Sequence, residues 1–261
     1  MSIFLKRFIS AFFLLSAFFF AFFSIENSLF LILISFISLT ALFELGNLLK
    51  LSMIKLFCFW SIPIISYLLF IFDYYNFNFV IYVSTLFWIF IATISVIKAK
   101  ILFKFIDILY GFIIIFGLFI STFYLFSFDK SLLLISLSIV WFSDIFAYFA
   151  GKSFGKIKLA QSISPGKTVE GVYGALIANL IFILILSIFF DFSFLVLTLL
   201  SLIIIPLSIF GDLFESLLKR NASTKDSGYL LPGHGGILDR LDGLCPTLPI
   251  VASFSLFGFV L

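Results

Sequence analysis

Four short polar segments interrupt an otherwise apolar chain, and they are rich in the residue types that bind phosphates and metal ions. They read "WFSDIFAYFAGKSFGK" at 141–156, "SPGKTVEG" at 164–171, "GDLFESLLKR" at 211–220 and "KDSGYLLPGHGGILDRLDG" at 225–243. Of the 15 glycines, four lie in 151–171 and six in 211–243, which predicts tight turns whose N–H groups can approach an anion. The chemistry is therefore expected in the C-terminal half.

The last segment carries two aspartates at a spacing that suits a divalent cation. Asp239 and Asp242 are three residues apart, so both carboxylates point the same way if they begin the final helix. Mg²⁺ prefers one or two carboxylates together with waters and substrate phosphates, and Asp226 could supply a third ligand. The alternative makes Asp242 a helix N-cap and Asp239 an ion-pair partner. His234, the sole histidine, either takes part in catalysis or only braces the glycine-rich turn.

Two further carboxylates lie in or beside apolar runs. Asp144 falls inside a run, where a charge costs about 2.5–3.5 kcal/mol on insertion scales, so it should face a cavity or a partner. The alternative for this residue is a helix–helix hydrogen bond. An i, i+3, i+4, i+7 pattern places Asp212, Glu215, Ser216 and Lys219 on one face of a helix. That face lines a water-filled site or a protein interface, or it carries only i, i+4 ion pairs.

A Gly-Lys-Thr triplet at 166–168 predicts an anion-binding turn but not a P-loop. A P-loop needs another glycine five positions before the Gly-Lys pair, where Gln161 stands, and no strand is expected before it. Lys167 supplies positive charge, and Thr168 can open a helix whose N-terminus favours anions. The alternative is a lysine that snorkels at the membrane interface.

The surrounding composition indicates an all-α, polytopic integral membrane protein. The 261 residues are 63% hydrophobic and 11% charged, whereas soluble domains carry about 25% charged residues. Roughly 17–25 apolar residues can span a bilayer, and we expect nine such helices, at about 8–24, 28–48, 53–72, 79–97, 105–126, 131–150, 169–189, 193–218 and 243–261. They form one domain, in which 1–130 supplies membrane helices and 131–261 supplies the catalytic helices and cytoplasmic loops.

The distribution of basic residues predicts the orientation in the membrane. With nine spans and a cytoplasmic N-terminus, 15 of the 16 basic residues face the cytoplasm, and Lys130 alone lies outside. We therefore expect the C-terminus outside and the active site on the cytoplasmic face of the bacterial inner membrane. A transporter is expected to carry polar residues near the bilayer midplane, whereas here they gather at one face, which favours an interfacial enzyme.

The spacing of the last two polar segments resembles the signature of the bacterial phosphatidate cytidylyltransferases, also called CDP-diacylglycerol synthases. The matching positions are Ser216, Lys219, Arg220, Lys225, Asp226, Gly228, Leu231, Pro232, His234, Gly235, Gly236, Asp239, Arg240 and Asp242. The two upstream segments also resemble blocks of that family, so the resemblance covers roughly 141–243. The N-terminal half is similar in its pattern of spans and in Glu44.

The resemblance implies a reaction in which CTP and phosphatidic acid give CDP-diacylglycerol and pyrophosphate, with Mg²⁺ and, as an option, a second metal ion. Both substrates are anionic, so metal ions and basic side chains must offset their repulsion. The attacking phosphate monoester has a second pKa of about 6, by analogy with phosphoserine, so no strong general base is needed. The partners implied are the two substrates and the lipid bilayer but no nucleic acid, and a homodimer is one option for the assembly.

The implied roles fall into three groups. Catalytic roles go to Asp226, Asp239, Asp242, Lys225 and His234; metal ligation goes to Asp226, Asp239, Asp242, Asp144 and Asp212; substrate binding goes to Lys167, Lys219, Arg220, Arg240, Ser216, Gly235 and Gly236. Two alternatives stay open. A CTP-dependent membrane lipid kinase would release CDP instead of pyrophosphate, and a lipid transporter or scaffold would have no catalytic activity.

Overall fold

A computed structural model describes residues 12, 15–24, 27–51, 78–101, 111–190, 192–228, 230 and 235–258. Within these residues, five helices are long and apolar enough to cross a membrane, and two shorter apolar helices accompany them. The expected span at 53–72 lies outside the described residues, as do parts of the first, fifth and last spans. The count of nine spans therefore stays a prediction.

The described helices agree closely with the apolar runs. They are α1 (Asn27–Leu48), α2 (Asn78–Ile97), α3 (Gly117–Phe128), α4 (Lys130–Phe154), α5 (Val169–Phe189), α6 (Phe194–Asn221), α7 (Leu238–Leu241) and α8 (Leu244–Leu256). A π-helical stretch, Phe87–Ala92, lies inside α2, and another, Phe112–Phe116, precedes α3. Helices α4 and α6 extend further than the runs predicted, because their ends are polar and project beyond the apolar stretch.

Local capping sets where three of these helices begin. The Asp129 carboxylate accepts hydrogen bonds from the first turn of α4, at 2.9 Å from Ser131 N and 3.0 Å from Leu132 N. The Thr168 hydroxyl accepts from Gly171 N at 3.2 Å and opens α5, as the sequence predicted. The Ser193 hydroxyl accepts from the first turn of α6. These side chains satisfy N–H groups that have no partner within the helix.

The connection between α4 and α5 corrects the expectation of a purely α-helical chain. It forms a small antiparallel hairpin of β1 (Lys158–Ala160) and β2 (Ser164–Thr168). A strand therefore does precede Gln161, contrary to the sequence-based expectation. The hairpin is still not a P-loop, because its second strand runs directly into α5 and the required glycine is missing.

The last helix lies at the centre of the bundle. Every residue from 243 to 253 is buried, and α8 packs against α2, α3, α4 and α6. Helices α4 and α5 form a tight antiparallel pair, in which the Asn179 amide donates to the Ser143 hydroxyl at 3.0 Å. The 28 residues of α6 extend about 42 Å, more than the hydrocarbon thickness of about 30 Å. Its polar end can therefore reach the interface.

Candidate active site

The polar residues of four elements meet on one side of the bundle. Helices α4, α5 and α6 alternate in direction, so the C-terminal ends of α4 and α6 lie beside the N-terminus of α5. Lys167, at the end of β2, forms an ion pair with Asp212 on α6. The Ser208 hydroxyl on α6 donates to the Asp144 carboxylate on α4 at 3.3 Å. The chain thus brings together side chains that are 45 and 64 residues apart.

Three carboxylates gather at this point, and we call Asp144, Asp212 and Asp242 the aspartate cluster. Asp242 contacts the Asp212 carboxylate, and Asp144 lies within electrostatic range of both. Burial, followed by the negative charges of Asp212 and Glu215, raises the pKa of Asp242 well above its usual range. Lys167 and Arg240 are basic residues within electrostatic range of Asp144. The cluster is therefore a site of concentrated negative charge with cations at its edge.

Lys219 lies two turns beyond Asp212 on α6 and contacts two acidic side chains. Its ammonium group is 2.6 Å from Glu215 Oε2 and 2.6 Å from Asp239 Oδ1. All three side chains are largely buried: Lys219 is 14% exposed, Glu215 is 5% exposed and Asp239 is 10% exposed. Both partners hold the lysine in the protein interior, so Lys219 is an internal ion-pair residue. Its predicted role as a phosphate ligand would require it to leave these contacts.

Asp239 organises the loop before α7, which we call the signature loop (residues 222–228 and 235–237). Its Oδ2 accepts from Gly236 N at 2.8 Å and from Ser227 N at 3.1 Å. Burial alone would raise the pKa of Asp239, but the hydrogen bonds from Lys219 and Gly236 outweigh it and hold that pKa below its usual range. Gly235 has a φ of +85°, and a Cβ there would lie 2.7 Å from Asp239 Oδ2, so only glycine fits.

The two aspartates of the final motif both face α6, but they contact different ends of its polar face. Asp242 meets Asp212, whereas Asp239 meets Lys219, two turns away along the same helix. The ion-pair alternative for Asp239 is thereby confirmed. The N-cap alternative for Asp242 is wrong, because Gly243 occupies the cap of α8 and makes no side-chain cap.

The remaining predicted residues lie around this centre rather than in it. Arg220, Lys225 and Asp226 are exposed, and Ser216 is partly buried on α6. The structure does not bring Asp226 into the aspartate cluster. His234 lies outside the described residues, so its role stays a prediction.

A complete protein cage for a metal ion is not found among the described residues, where no three acidic, histidine or cysteine side chains are arranged to hold one. The paired carboxylates of Asp212 and Asp242 nevertheless fit Mg²⁺, which is usually bound by one or two carboxylates while waters and substrate phosphates complete its shell. A bound cation would also stabilise the ionised forms of these two neighbouring carboxylates, which otherwise repel each other.

One cavity is lined by members of the aspartate cluster, and a second is lined by Arg240. The first, the polar cavity, has a volume of about 360 Å³ and is lined by Asp144, Tyr148, Ser164, Lys167, Gly171 and Asp212, among others. The second, the apolar groove, has a volume of about 280 Å³ and lies between α1, α3, α4 and α8. Its walls are mostly leucine, isoleucine and phenylalanine, and Arg240 is the charged residue among those that line it. Asp144 lines the first cavity and is within electrostatic range of Arg240 in the second.

Sequence reasoning assigned no role to Glu44, yet this residue contacts the signature loop. It lies in the apolar α1 and is 1% exposed. Its Oε2 accepts from Leu238 N at 2.9 Å and from the Ser227 hydroxyl at 3.1 Å. The family resemblance had singled out Glu44 without a role, and the cost of a carboxylate within a membrane helix, the same cost that drew attention to Asp144, is the signal that could have indicated one.

Comparison with known proteins identifies one family and several similar chains. Residues 5–257 match the model of the cytidylyltransferase family. The phosphatidate cytidylyltransferase of Haemophilus influenzae is 44% identical over 135 residues, which cover 48% of this chain and 46% of that protein. Those of Staphylococcus saprophyticus and Pseudomonas aeruginosa are 50% and 43% identical over 122 and 127 residues, covering 46% and 48% of this chain and 46% and 47% of those proteins. The chain thus spans about half the length of the curated relatives it matches.

The family model covers nearly the whole chain, from the first described helical residues to the end of α8. It therefore includes all the elements that carry the aspartate cluster, the signature loop and Glu44. This chain belongs to the cytidylyltransferase family.

Proposed function

We propose that the protein transfers CMP from CTP to phosphatidic acid, giving CDP-diacylglycerol and pyrophosphate for phospholipid biosynthesis. One observation carries this proposal: Asp144 and Asp212 line a polar cavity, and Arg240, which is within electrostatic range of Asp144, lines an apolar groove. A reaction between a soluble nucleotide and a membrane lipid needs such a junction, because each substrate must approach from a different phase.

The polar cavity is the proposed site of CTP. Its volume of about 360 Å³ falls within the range of about 300–1,000 Å³ that is usual for small-molecule sites. Lys167 lies on its wall and can meet phosphate charge, and the N-terminus of α5 beside it favours an anion. Nucleotide binding there would bring the triphosphate next to Asp144 and Asp212.

The apolar groove is the proposed site of the lipid. Arg240, which lines the groove, can pair with the phosphate of phosphatidic acid, which is the nucleophile. The monoester is already largely ionised at neutral pH, so the protein has to orient it rather than deprotonate it. An acyl chain would extend along Leu33, Ile37 and Leu137, away from the polar side.

Asp212 and Asp242, with Asp144 beside them, are the residues we propose to hold Mg²⁺. When bound, the ion would offset the negative charge of the reacting phosphates. Lys167 and Arg240 then supply fixed positive charges near the cluster. Asp239 and Lys219 keep the signature loop in place, so that Arg240 and Asp242 face this centre.

The decisive experiment is an assay of the purified protein with CTP, phosphatidic acid and Mg²⁺. We expect pyrophosphate release together with incorporation of label from [α-³²P]CTP, but not from [γ-³²P]CTP, into lipid. Release of CDP with γ-label in the lipid would establish the lipid kinase instead. The absence of any CTP turnover by folded protein would favour the non-catalytic transporter or scaffold and would refute the proposal.

The proposed location is the bacterial inner membrane, with the N-terminus and active site in the cytoplasm and the C-terminus outside. The support is the bias of 15 basic residues toward one side. A reporter that is active only outside the cytoplasm should give signal when it is fused after Leu261. The same reporter inserted after Lys225 serves as control and should be silent. A silent reporter at Leu261 in a folded fusion protein would contradict nine spans with a cytoplasmic N-terminus.

A substitution that narrows the apolar groove should impair lipid use selectively. Ile37→Trp adds bulk to the wall of the groove, so KM for a long-chain phosphatidic acid should rise about tenfold, as for loss of roughly 1.4 kcal/mol of binding. KM for CTP should not change, because the nucleotide is proposed to bind in the other cavity. Ile32→Trp is the matched control, since Ile32 is 54% exposed on the same helix. Equal effects of the two variants would argue against the groove as the lipid site.

A further inference from the structure

Glu44 joins the first described long helix to the signature loop near the other end of the chain. It is the one acidic residue in the sequence of α1. Its Oε2 accepts two hydrogen bonds, from the Ser227 hydroxyl and from the Leu238 amide, which follow it by 183 and 194 residues. Both contacts are buried. A single oxygen atom of α1 thus links Ser227 of the signature loop to Leu238 at the start of α7.

The loop is shaped to receive this carboxylate. A Cβ added to Gly228 would collide with Glu44 Oε1, and a Cβ added to Gly236 would collide with Glu44 Oε2 and with the Ser227 hydroxyl. A side chain at either position would therefore force the Glu44 carboxylate or the loop to shift. The two glycines are explained by the space that Glu44 fills, and not by a need for an unusual backbone conformation.

Asp239 also contacts the signature loop. Ser227 and Gly236 donate their backbone N–H groups to Asp239, while Glu44 accepts from the Ser227 side chain and from Leu238. Leu238 begins α7, the helix that carries Asp239 and Arg240 and leads to Asp242. Displacement of this loop would move the residues that face both cavities.

We propose that Glu44 is a positioning residue, which fixes the signature loop and the start of α7 so that Arg240 and Asp242 face the reacting phosphates. The expected loss of CMP transfer rests on the proposed function, whereas the contact between Glu44 and the signature loop does not. Glu44 Oε1 has no hydrogen-bond partner in the described part of the chain. The geometry therefore requires one accepting oxygen at the position of Oε2, and an amide can supply it.

The first test compares Glu44→Gln with Glu44→Ala. Glutamine can present its carbonyl oxygen to Ser227 and Leu238, so we expect it to keep most of the wild-type kcat. Alanine removes the acceptor, and a displacement of about 1 Å in a catalytic group can cost about 10²-fold, so kcat should fall by that order while KM for CTP changes little. A glutamine variant as impaired as alanine would show that the charge is needed, and wild-type activity in alanine would show that the contact is not. Either result overturns the proposal.

The second test needs no substrate. Lys225 is exposed and lies two residues before Ser227, so trypsin cleavage after Lys225 reports whether the loop is held. Cleavage should accelerate in Glu44→Ala and match wild type in Glu44→Gln, while cleavage after the exposed Lys156 in the hairpin connection stays constant. Unchanged cleavage at Lys225 in Glu44→Ala would overturn the proposal. If wild type instead fails to transfer CMP, the proposed function fails, and this cleavage result still decides the role of Glu44.

Two additional variants keep the test decisive if Glu44→Ala does not fold. Ser227→Ala removes one of the two donors to Glu44 and should give the same changes in kcat and cleavage, but smaller. Thr40→Ala is the control on the same helix, because its hydroxyl donates to Ile37 O at 2.8 Å within α1. Ser227→Ala indistinguishable from Thr40→Ala in both measurements would overturn the proposal.

Discussion

Replacing Asp242 with asparagine is expected to lower CMP transfer by about 10²–10³-fold, which is typical of losing an electrostatic contact to the transition state. Asparagine keeps the size of the side chain but removes the charge proposed to hold Mg²⁺. The remaining activity should also need a higher Mg²⁺ concentration. The measurement is pyrophosphate release by wild type and variant across a Mg²⁺ titration.

The same substitution should not destabilise the fold. Asp242 contacts Asp212 and is close to Glu215, so its ionised form is repelled by its neighbours. Asparagine cannot ionise and therefore avoids this repulsion, so the melting temperature in Mg²⁺-free buffer should be equal to or above that of wild type. An active site that concentrates like charges commonly reduces stability in this way.

Asp129→Asn is the matched control for Asp242→Asn. Asp129 caps the opposite end of α4, and asparagine is itself a good N-cap, so both activity and stability should stay near wild type. Near-wild-type turnover and unchanged Mg²⁺ dependence in Asp242→Asn would remove Asp242 from the metal site. A collapse of folding in that variant would instead assign it a structural role.

Lys219→Met should be strongly destabilising, which is a different outcome from that expected of a phosphate ligand. The lysine is the shared partner of Glu215 and Asp239, and all three side chains are largely buried. Removing one member of a buried ionic group leaves an uncompensated charge and typically costs about 3–5 kcal/mol. For a chain of this size the melting temperature should fall on the order of 10 °C.

The neighbouring Arg220 supplies the control for this measurement. It is exposed, so Arg220→Met should change the free energy of unfolding by no more than about 0.5 kcal/mol. Combining Lys219→Met with Asp239→Asn should be less destabilising than the two separate losses added together, because they share one interaction. If Lys219→Met leaves the melting temperature unchanged and raises KM for CTP, the residue binds phosphate, as the sequence resemblance implied.

The local elements of this protein follow from the sequence. Apolar runs of sufficient length gave the bounds of α1, α2 and α5 to within one residue, because such runs are long and bordered by polar residues. Thr168 could be recognised as the start of α5, since an N-cap acts within one turn. The spacing of Asp212, Glu215 and Lys219 correctly predicted one polar face, because helical periodicity is a local property.

The tertiary structure decided which of these polar side chains contact one another. Periodicity places Asp239 and Asp242 toward one neighbour, but the antiparallel approach of α6 assigns Asp242 to Asp212 and Asp239 to Lys219. The contact of Glu44 with the signature loop depends on how α1 packs against α7, and no local pattern records it. A contact between residues that are more than a hundred positions apart in the sequence depends on how whole helices pack. A helix cap or a polar helix face, by contrast, is set by residues within a few turns. The sequence therefore determined the elements and the candidate residues, and the packing divided those residues between the aspartate cluster and the contacts that position it.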